Sequence, residues 1–419
     1  MPEPTASAPA DHQNRVDSYG SAHSRALRAV AVQFFVNGAL FASVLPRMPE
    51  IRDKIGVTAG GIGWILSAAG ASGLAGSVIA GPAMQRFGSR WVMVCASGVV
   101  CVSLAVVGVA ATPAIVLVGL VGMVSFDVLV DIAMNLQGST ISARRHSPVI
   151  NRLHGLWSLG AAVGGVVASQ MAEAGVSLTV HLVGSGAVMF GVLGYVGRGL
   201  LRQDELLARS TGLATNPAKP GSQTKRRSRG LGINSTLIML AAAGFFAITV
   251  EGVPIDWAAF RLRDDVGASV GLAALGYTAV TAGMTISRFA GDWVLVRVGQ
   301  ARFDQVSTGL AAAGLATAAL VPNQYWVMAG FMVAGVGTAA LMPSMYDRAA
   351  HYTGRPGAGL GALTAGMRTA SIIVPTLVGT LATYRLGVGF AMAVVALPCV
   401  VGYLLAASAV HRTKGRALG

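Results

Sequence analysis

Apolar stretches of about 20 residues, separated by short polar segments, recur along the whole chain. A bilayer core about 30 Å thick requires roughly 20 apolar residues for each helical crossing, so each stretch predicts a membrane-spanning helix. The stretches are too long and too uniformly apolar for the strands of a membrane β-barrel. The pattern predicts an all-α membrane protein with twelve spans, near residues 26–47, 61–84, 91–111, 114–139, 153–173, 177–197, 235–260, 269–294, 303–321, 325–346, 358–383 and 386–408.

Two segments of this membrane region, one near the start of each predicted half, repeat each other. Residues 34–88 realign without a gap on residues 245–299, at a constant offset of 211. The ten identical positions, among them Arg52 on Arg263, fall mostly at the ends of spans. A fixed offset in a membrane chain predicts two pseudo-symmetric six-helix halves, which is how many secondary transporters alternate access to a central site.

A polar segment between the two repeats sets the predicted domain boundaries. It is rich in Ser, Gly, Lys and Arg and lacks the apolar residues needed to fold alone, which is typical of a flexible linker. The first 24 residues contain no apolar run, so we expect a solvated tail rather than a signal peptide. The predicted parts are a disordered cytoplasmic tail (1–25), an N-terminal six-helix half (26–197), a cytoplasmic linker (198–233), a C-terminal six-helix half (234–408) and a second tail (409–419).

The composition excludes an ordinary soluble domain, because 53% of the residues are hydrophobic and only 11% are charged, against about 25% charged in typical soluble domains. A net charge of +14 alone is compatible with nucleic-acid binding. However, about 23 of the 31 Lys and Arg lie at the termini or after even-numbered spans, which is the positive-inside pattern. We therefore expect a multi-pass protein of the cell membrane with both termini cytoplasmic and no nucleic-acid partner. Six basic residues lie on the other side, namely Arg47, Arg52, Lys54, Arg261, Arg263 and Arg385.

The loops after spans 2 and 8 carry related motifs. The first resembles the Gly-x-x-x-Asp-Arg-x-Gly-x-Arg signature of the major facilitator superfamily, in which such loops gate the movement of the two halves. The aspartate of that signature is replaced by Gln85 in the first copy and by Val296 in the second, which implies a weaker latch. The candidate gating residues are Gly81, Arg86, Gly88 and Arg90 in the first loop and Gly291, Asp292, Arg297 and Gly299 in the second.

Three further stretches, at residues 131–138, 154–160 and 251–257, are similar to a bacterial subgroup of that superfamily. The subgroup contains inner-membrane proteins and rhizopine-transport-like carriers. The resemblance covers essentially the whole chain and implies that spans 1, 4, 7 and 10 line a central cavity. It does not identify a substrate.

Ionisable residues inside the spans are costly in lipid and therefore need a reason to be there. Asp127 and Asp131 lie one turn apart on span 4, and Glu251 lies on span 7, so acids occur on predicted cavity helices of both halves. These three are our candidates for proton coupling. The alternative is a structural role, in which Asp131 pairs with Arg152, His154 or Arg368 and Glu251 contacts the polar backbone break at Pro254. Asp256 is expected to lie near the outer surface.

Polar and aromatic side chains on the same spans are candidate substrate contacts. Tryptophan also marks membrane interfaces, so each has a structural alternative. We expect Arg288 to pair with Asp292 four residues later, and His154 either to relay protons or to bond to the preceding loop. The candidate cavity residues are Gln33, Asn37, Asn135, Trp157, Trp257 and Arg368.

These patterns predict a secondary transporter that moves a small solute by alternating access, coupled to protons, and that works as a monomer in the bilayer. A drug or metabolite efflux antiporter and a non-transporting receptor on the same scaffold are the alternatives. We find no nucleophile–base arrangement, phosphate-binding loop or metal-ligand spacing, so we expect neither an enzyme nor a bound cofactor or metal.

Overall fold

The computed structural model describes residues 8–145, 149–201, 235–352 and 357–416, and every α-helix in these ranges is numbered here in chain order. Parts of the predicted tails and linker, residues 1–7, 202–234 and 417–419, lie outside the described residues. The helices are α1 Ala8–Val44, α2 Met48–Ile55, α3 Ala59–Val109, α4 Pro113–Arg145, α5 Ile150–Glu173, α6 Leu178–Gly199, α7 Ser235–Phe260, α8 Val270–Val298, α9 Gln300–Leu320, α10 Gln324–Thr338, α11 Leu341–Ala350, α12 Ala358–Leu381 and α13 Gly387–Arg416.

Ten helical stretches among the described residues are long and apolar enough to cross a membrane. One of them, α3, has 51 residues, and at 1.5 Å per residue its length of about 77 Å is enough for two crossings. Its backbone leaves the helical conformation at Gly88, so α3 consists of two helices at the positions of predicted spans 2 and 3. Helix α9 has 21 residues but is more polar than the ten, and its crossing, like the full count of twelve, stays a prediction.

The 211-residue offset is matched by the backbone. Gly56 and its counterpart Gly267 have φ values of 69° and 70°, and Gly88 and Gly299 have 75° and 77°. Residues with a Cβ rarely adopt this conformation, which explains why glycine stands at all four positions. The two repeats therefore share local conformation as well as sequence in the middle and at the C-terminal end of the duplicated segment.

The two halves contact each other along two interfaces, where α3 packs on α12 and α5 packs on α8. Small residues let the backbones approach closely at the first of these. A Cβ at Gly70 would lie 2.5 Å from the carbonyl oxygen of Ser371. The second contains Gly155, whose added Cβ would lie 2.9 Å from the ring of Phe289. Without a hydrophobic driving force in lipid, such close packing is a main source of helix association.

Candidate functional site

A cavity of about 740 Å³ lies between the two halves. Its polar lining comes from α1, α4 and α5 of the first half and from α7, α8, α9 and α11 of the second. It reaches the first residues of two helices, Asn151 of α5 and Gln300 of α9, which follows Gly299. We call this side of the bundle the motif end. The polar or charged residues on its wall are Asn37, Asp127, Asp131, Asn151, His154, Trp157, Glu251, Ser287, Arg288, Gln300, Ser344, Tyr346 and Arg348.

The opposite end of the bundle, which we call the sealed end, is closed by an ion pair between the halves. Arg52 donates hydrogen bonds to both carboxylate oxygens of Asp264, one of them at 3.0 Å from Nη2 to Oδ1. Its Nε also donates to Asp53 at 2.8 Å, and Asp53 is the repeat counterpart of Asp264. Among the described residues this is the one ion pair that joins the two halves.

Two helix N-termini complete the sealed end with matching contacts across the halves. The Gly60 N–H of α3 donates to Thr383 Oγ1 at 2.9 Å, and the Gly271 N–H of α8 donates to Glu173 Oε2 at 2.9 Å. Gly60 and Gly271 are repeat counterparts. The Glu173 carboxylate also accepts from Ser269 Oγ at 2.8 Å and lies where the positive end of the helix dipole favours an anion.

Asn37 connects the first cavity acid to an aromatic side chain. Its Nδ2 donates to Asp127 Oδ1 at 2.7 Å, and its Oδ1 accepts from Trp157 Nε1 at 3.0 Å. Three predicted residues from three helices of the first half are therefore brought together on one wall of the cavity. The amide holds both neighbours in fixed positions, because it uses its donor on one side and its acceptor on the other.

The second acid of α4 belongs to a parallel chain of contacts. Asn135 Nδ2 donates to Asp131 Oδ1 at 2.9 Å, and His154 Nε2 lies 3.2 Å from Asn135 Oδ1. Arg368, from α12 of the other half, lies within electrostatic range of both Asp127 and Asp131. Two carboxylates thus share one guanidinium across the interface between the halves.

Arg288 reaches from the second half to the first. It donates to Ser158 Oγ and, at 3.4 Å, to the His154 carbonyl oxygen, and its guanidinium lies 5.6 Å from the centre of the Trp157 ring. Its ion-pair partner is Glu251, at 3.8 Å. The expected partner was Asp292, whose side chain lies outside the described residues.

Residues at the C-terminal end of the tenth predicted span form a part of the wall that the sequence interpretation missed. The span breaks between α10 and α11, and Ala339 and Ala340 at the break line the cavity. Interrupted membrane helices commonly mark transport sites. Pro343, inside the predicted span, is the sequence signal for this irregularity, because proline kinks or interrupts a helix. Beyond the break, Arg348 pairs with Asp304 at 2.5 Å.

A second cavity, of about 220 Å³, adjoins the first, since Ile248 lines both. Asp256 and Arg368 lie on its wall. A position near the outer surface predicts a solvated Asp256 side chain, but the side chain lines this interior space. The sequence could not show this, since α7 carries apolar residues on every face.

Three of the predicted cavity residues line neither cavity. Asn135 is on neither wall and contacts Asp131 and His154 instead. The other two are buried in helix packing. Gln33 is fully buried and donates to Ser97 Oγ on α3 at 2.8 Å. Trp257 is also fully buried and packs against Phe260, with ring centres 5.1 Å apart. Both side chains point into helix packing within the bundle, away from the polar face that bears Asn37 on α1.

The predicted gating loops lie at the motif end. Gly291 lines the large cavity, and Gly81 makes no close contact at its Cβ position. The arginines stack on neighbouring aromatic rings of their own loops, at 5.5 Å for Arg86 on Phe87 and 3.7 Å for Arg297 on Trp293, while Arg90 lies 5.8 Å from the Trp91 ring. These loops contribute no described ion pair between the halves.

The chain is similar to membrane transport proteins. A model of the Major Facilitator Superfamily matches residues 30–260. An uncharacterized transporter of Sinorhizobium fredii (strain NBRC 101917 / NGR234) is 28% identical over 329 residues, which cover 77% of this chain and 82% of the relative. Membrane protein MosC of Rhizobium meliloti is 24% identical over 334 residues, covering 77% of this chain and 76% of the relative.

A solved structure has the same fold at low sequence identity. It is a bacterial homologue of the human lysosomal transporter Spinster in an inward-facing and unoccupied conformation. It matches with a TM-score of 0.66 and 16% identity, over 93% of this chain and 96% of that one.

Proposed function

Because the chain belongs to the major facilitator superfamily and is therefore a multi-pass secondary transporter, we propose that it couples the movement of a small solute to the movement of protons. A carrier that alternates access needs states in which the central cavity meets one side only. The contacts at the sealed end and the cavity that reaches the motif end fit one of these states.

We assign the motif end to the cytoplasmic side of the cell membrane. The basic residues outside the spans are concentrated on this side, as the positive-inside rule requires for cytoplasmic loops. Four of the six basic residues on the other side contact an acidic side chain or a backbone carbonyl: Arg47 with Glu50, Arg52 with Asp264, Lys54 with the Gly108 carbonyl and Arg261 with Asp265. The described conformation is then open to the inside.

The charge balance around Asp127 supports proton coupling most directly. Asp127 and Asp131 face a single guanidinium, that of Arg368, and the direct partner of the Asp127 carboxylate is the neutral amide of Asn37. One negative charge is therefore in excess at membrane depth, where an uncompensated charge is costly. A proton shared by the two carboxyls removes it, and such a pair titrates as one unit.

The same geometry links the proton to conformational change. Arg368 belongs to the second half, whereas Asp127 and Asp131 belong to the first. Movement of one half against the other changes the distance between the guanidinium and the two carboxylates. The free energy of holding the shared proton changes with that distance, because opposite charges stabilise the ionised form. Glu251 is the second candidate, since its partner Arg288 is anchored to the first half at Ser158.

Asp127→Asn tests this assignment in proteoliposomes. A panel of sugars, amino acids and amphipathic drugs first identifies a transported solute, with the pH gradient imposed in both directions. We expect Asp127→Asn to lose flux driven by the gradient and to retain solute exchange at equal pH, because the amide keeps the contact with Asn37 but does not titrate at physiological pH.

Asp204→Asn, within the predicted linker, removes the same charge outside the spans and serves as the control. Undiminished gradient-driven flux in Asp127→Asn would exclude Asp127 as the coupling group. Loss of exchange together with gradient-driven flux would instead indicate a structural or substrate-binding role.

A further inference from the structure

We propose that the smaller cavity binds the positively charged group of the transported solute, an organic ammonium, and that Asp256 is its counter-ion. This inference rests on the proposed function in one respect, namely that the two adjoining cavities form the transport route. It assigns a chemical class to a substrate that the sequence and the family leave open.

The other charged side chains on the cavity walls have partners of opposite charge. Glu251 pairs with Arg288 at 3.8 Å, and Arg348 pairs with Asp304 at 2.5 Å. Arg368 lies within electrostatic range of the two acids of α4.

Asp256 differs from all of these. No described residue forms an ion pair or hydrogen bond with its carboxylate. An ionised carboxylate in such a position is costly unless it is paired, so a partner from outside the protein is favoured. The 220 Å³ beside it provides room for one.

The smaller cavity lies where the two halves face each other. Two pairs of repeat counterparts line it, Phe41 with Gly252 and Leu45 with Asp256. A ligand held here touches both halves at once, and a solute can bias a rearrangement only through contacts that differ between the two states. Ile248, on the walls of both cavities, marks the passage by which the ligand would enter from the large cavity.

The lining suits an organic cation better than a metal ion. Apart from Asp256 and Arg368, its side-chain polar atoms are the hydroxyls of Thr249 and Ser371, which is too few oxygens for the six or more that hard metal ions prefer. The rest of the wall is apolar, and Phe41 provides an aromatic ring. An ammonium group with an apolar body matches this combination, since the ring face can add a cation–π contribution.

The test measures binding by the purified full-length protein at one pH, with no gradient. The probes are three matched series, in each of which the ammonium and hydroxyl members have the same carbon skeleton and the carboxylate a closely similar one: butylamine, butanol and butyrate; cyclohexylamine, cyclohexanol and cyclohexanecarboxylate; phenethylamine, phenylethanol and phenylpropionate. We expect at least one ammonium probe to bind about tenfold or more tightly than its hydroxyl partner, as an ion pair in a low-dielectric site would give, and the carboxylates to bind weakest.

Asp256→Asn should reduce the preference for ammonium over hydroxyl to within about twofold, because the remaining hydrogen bond is no longer charge-assisted. Asp256→Glu should keep the preference, and the linker variant Asp204→Asn should leave it unchanged. If Asp256→Asn does not fold, Gly252→Leu supplies an independent test. An added Cβ at Gly252 meets no atom within 4 Å, so the leucine should occupy the cavity and abolish ammonium binding without changing charge.

Equal binding of hydroxyl and ammonium probes by the wild-type protein would overturn the proposal, as would an ammonium preference that survives both Asp256→Asn and Gly252→Leu. Equal binding of the two probes would indicate that the Asp256 carboxyl is protonated and therefore uncharged in the cavity. Failure of proton coupling is recognised separately, because it appears only in gradient-driven flux and in the Asp127→Asn variant. Ammonium binding without gradient-driven flux would retain this inference and reject the coupling.

Discussion

The ion pair between Arg52 and Asp264 should hold the carrier in its inward-open state, and removing it should shift the protein toward the state that opens at the sealed end. Arg52 is the cation that crosses between the halves there, and it binds Asp264 through two nitrogens. Arg52→Ala removes this contact and leaves the matched contacts of Gly60 and Gly271 intact. The variant therefore weakens the seal without eliminating it.

The magnitude follows from geometry and exposure. A bidentate contact between Arg and a carboxylate is stronger than a simple surface pair. The side chains of Arg52 and Asp264 are 15% and 25% exposed, so solvent screens the pair in part. Exposed pairs contribute about 0–1 kcal/mol, and a partly buried bidentate pair should contribute roughly 1–2 kcal/mol. That corresponds to about a five- to thirtyfold change in the ratio of outward-open to inward-open molecules.

Double electron–electron resonance between spin labels at Ile55 and Val266 measures this ratio. These residues are repeat counterparts and lie close in sequence to Arg52 and Asp264. The native cysteines Cys95, Cys101 and Cys399 are first replaced by serine or alanine. We expect the population at longer distance to rise in Arg52→Ala and in Asp264→Ala, and to return toward the wild-type value in the double variant Arg52→Asp with Asp264→Arg.

Arg263→Ala is the matched control, because Arg263 is the repeat counterpart of Arg52 and forms no described ion pair. Distance distributions that are unchanged in Arg52→Ala would refute the role of the Arg52–Asp264 ion pair in holding the inward-open state. So would an equal shift in Arg263→Ala, since the effect would then come from local charge and not from the bridge between the halves.

Two further predictions concern the motif end and the cavity wall. Gly88→Leu places a side chain at φ 75° and ψ 153°, which costs on the order of 1–3 kcal/mol. We expect reduced flux and a lower unfolding temperature, whereas Gly184→Leu, on α6 with open space at its Cβ, should change neither. Unchanged flux in Gly88→Leu would argue against the gate. Trp157→Phe removes the donor to Asn37 and should weaken solute binding by roughly three- to tenfold, the value of one hydrogen bond; wild-type affinity would show that the wall is not a binding surface.

The apolar periodicity was sufficient to predict an all-helical membrane protein and the positions of its helices, because a bilayer fixes both the length and the composition of a crossing helix. The same pattern gave Asp127 and Asp131 their common face on α4, since residues four apart on a helix lie one above the other. Their sharing of Arg368 depends on how α12 packs against α3, which no local pattern contains. Arg288 shows the same limit, because its partner Glu251 is 37 residues away in the chain and on another helix.

Rotation about a helix axis was the main unknown. Helix α7 is apolar on all sides, so the sequence could not show that Asp256 lines an interior cavity while Trp257 packs into the core. On α1, Gln33 and Asn37 are one turn apart, yet one bonds to α3 and the other faces the cavity. A polar residue in a membrane helix thus predicts a polar partner, but not whether the partner is protein or ligand.

The duplicated architecture offers a way to separate the position of the charge from its presence. Asp256 and its repeat counterpart Leu45 line the same small cavity from opposite halves. If the cavity needs one carboxylate next to the ligand and not that particular helix, Asp256→Leu combined with Leu45→Asp should restore the preference for ammonium over hydroxyl probes that Asp256→Leu alone loses. The measurement is the same binding series at one pH, with Leu45→Asp alone as a control that should bind the ammonium probes at least as tightly as the wild-type protein. A double variant that folds and binds both probes equally would show that Asp256 acts through its place on α7. A carboxylate elsewhere on the cavity wall would then not be enough to bind the ammonium group.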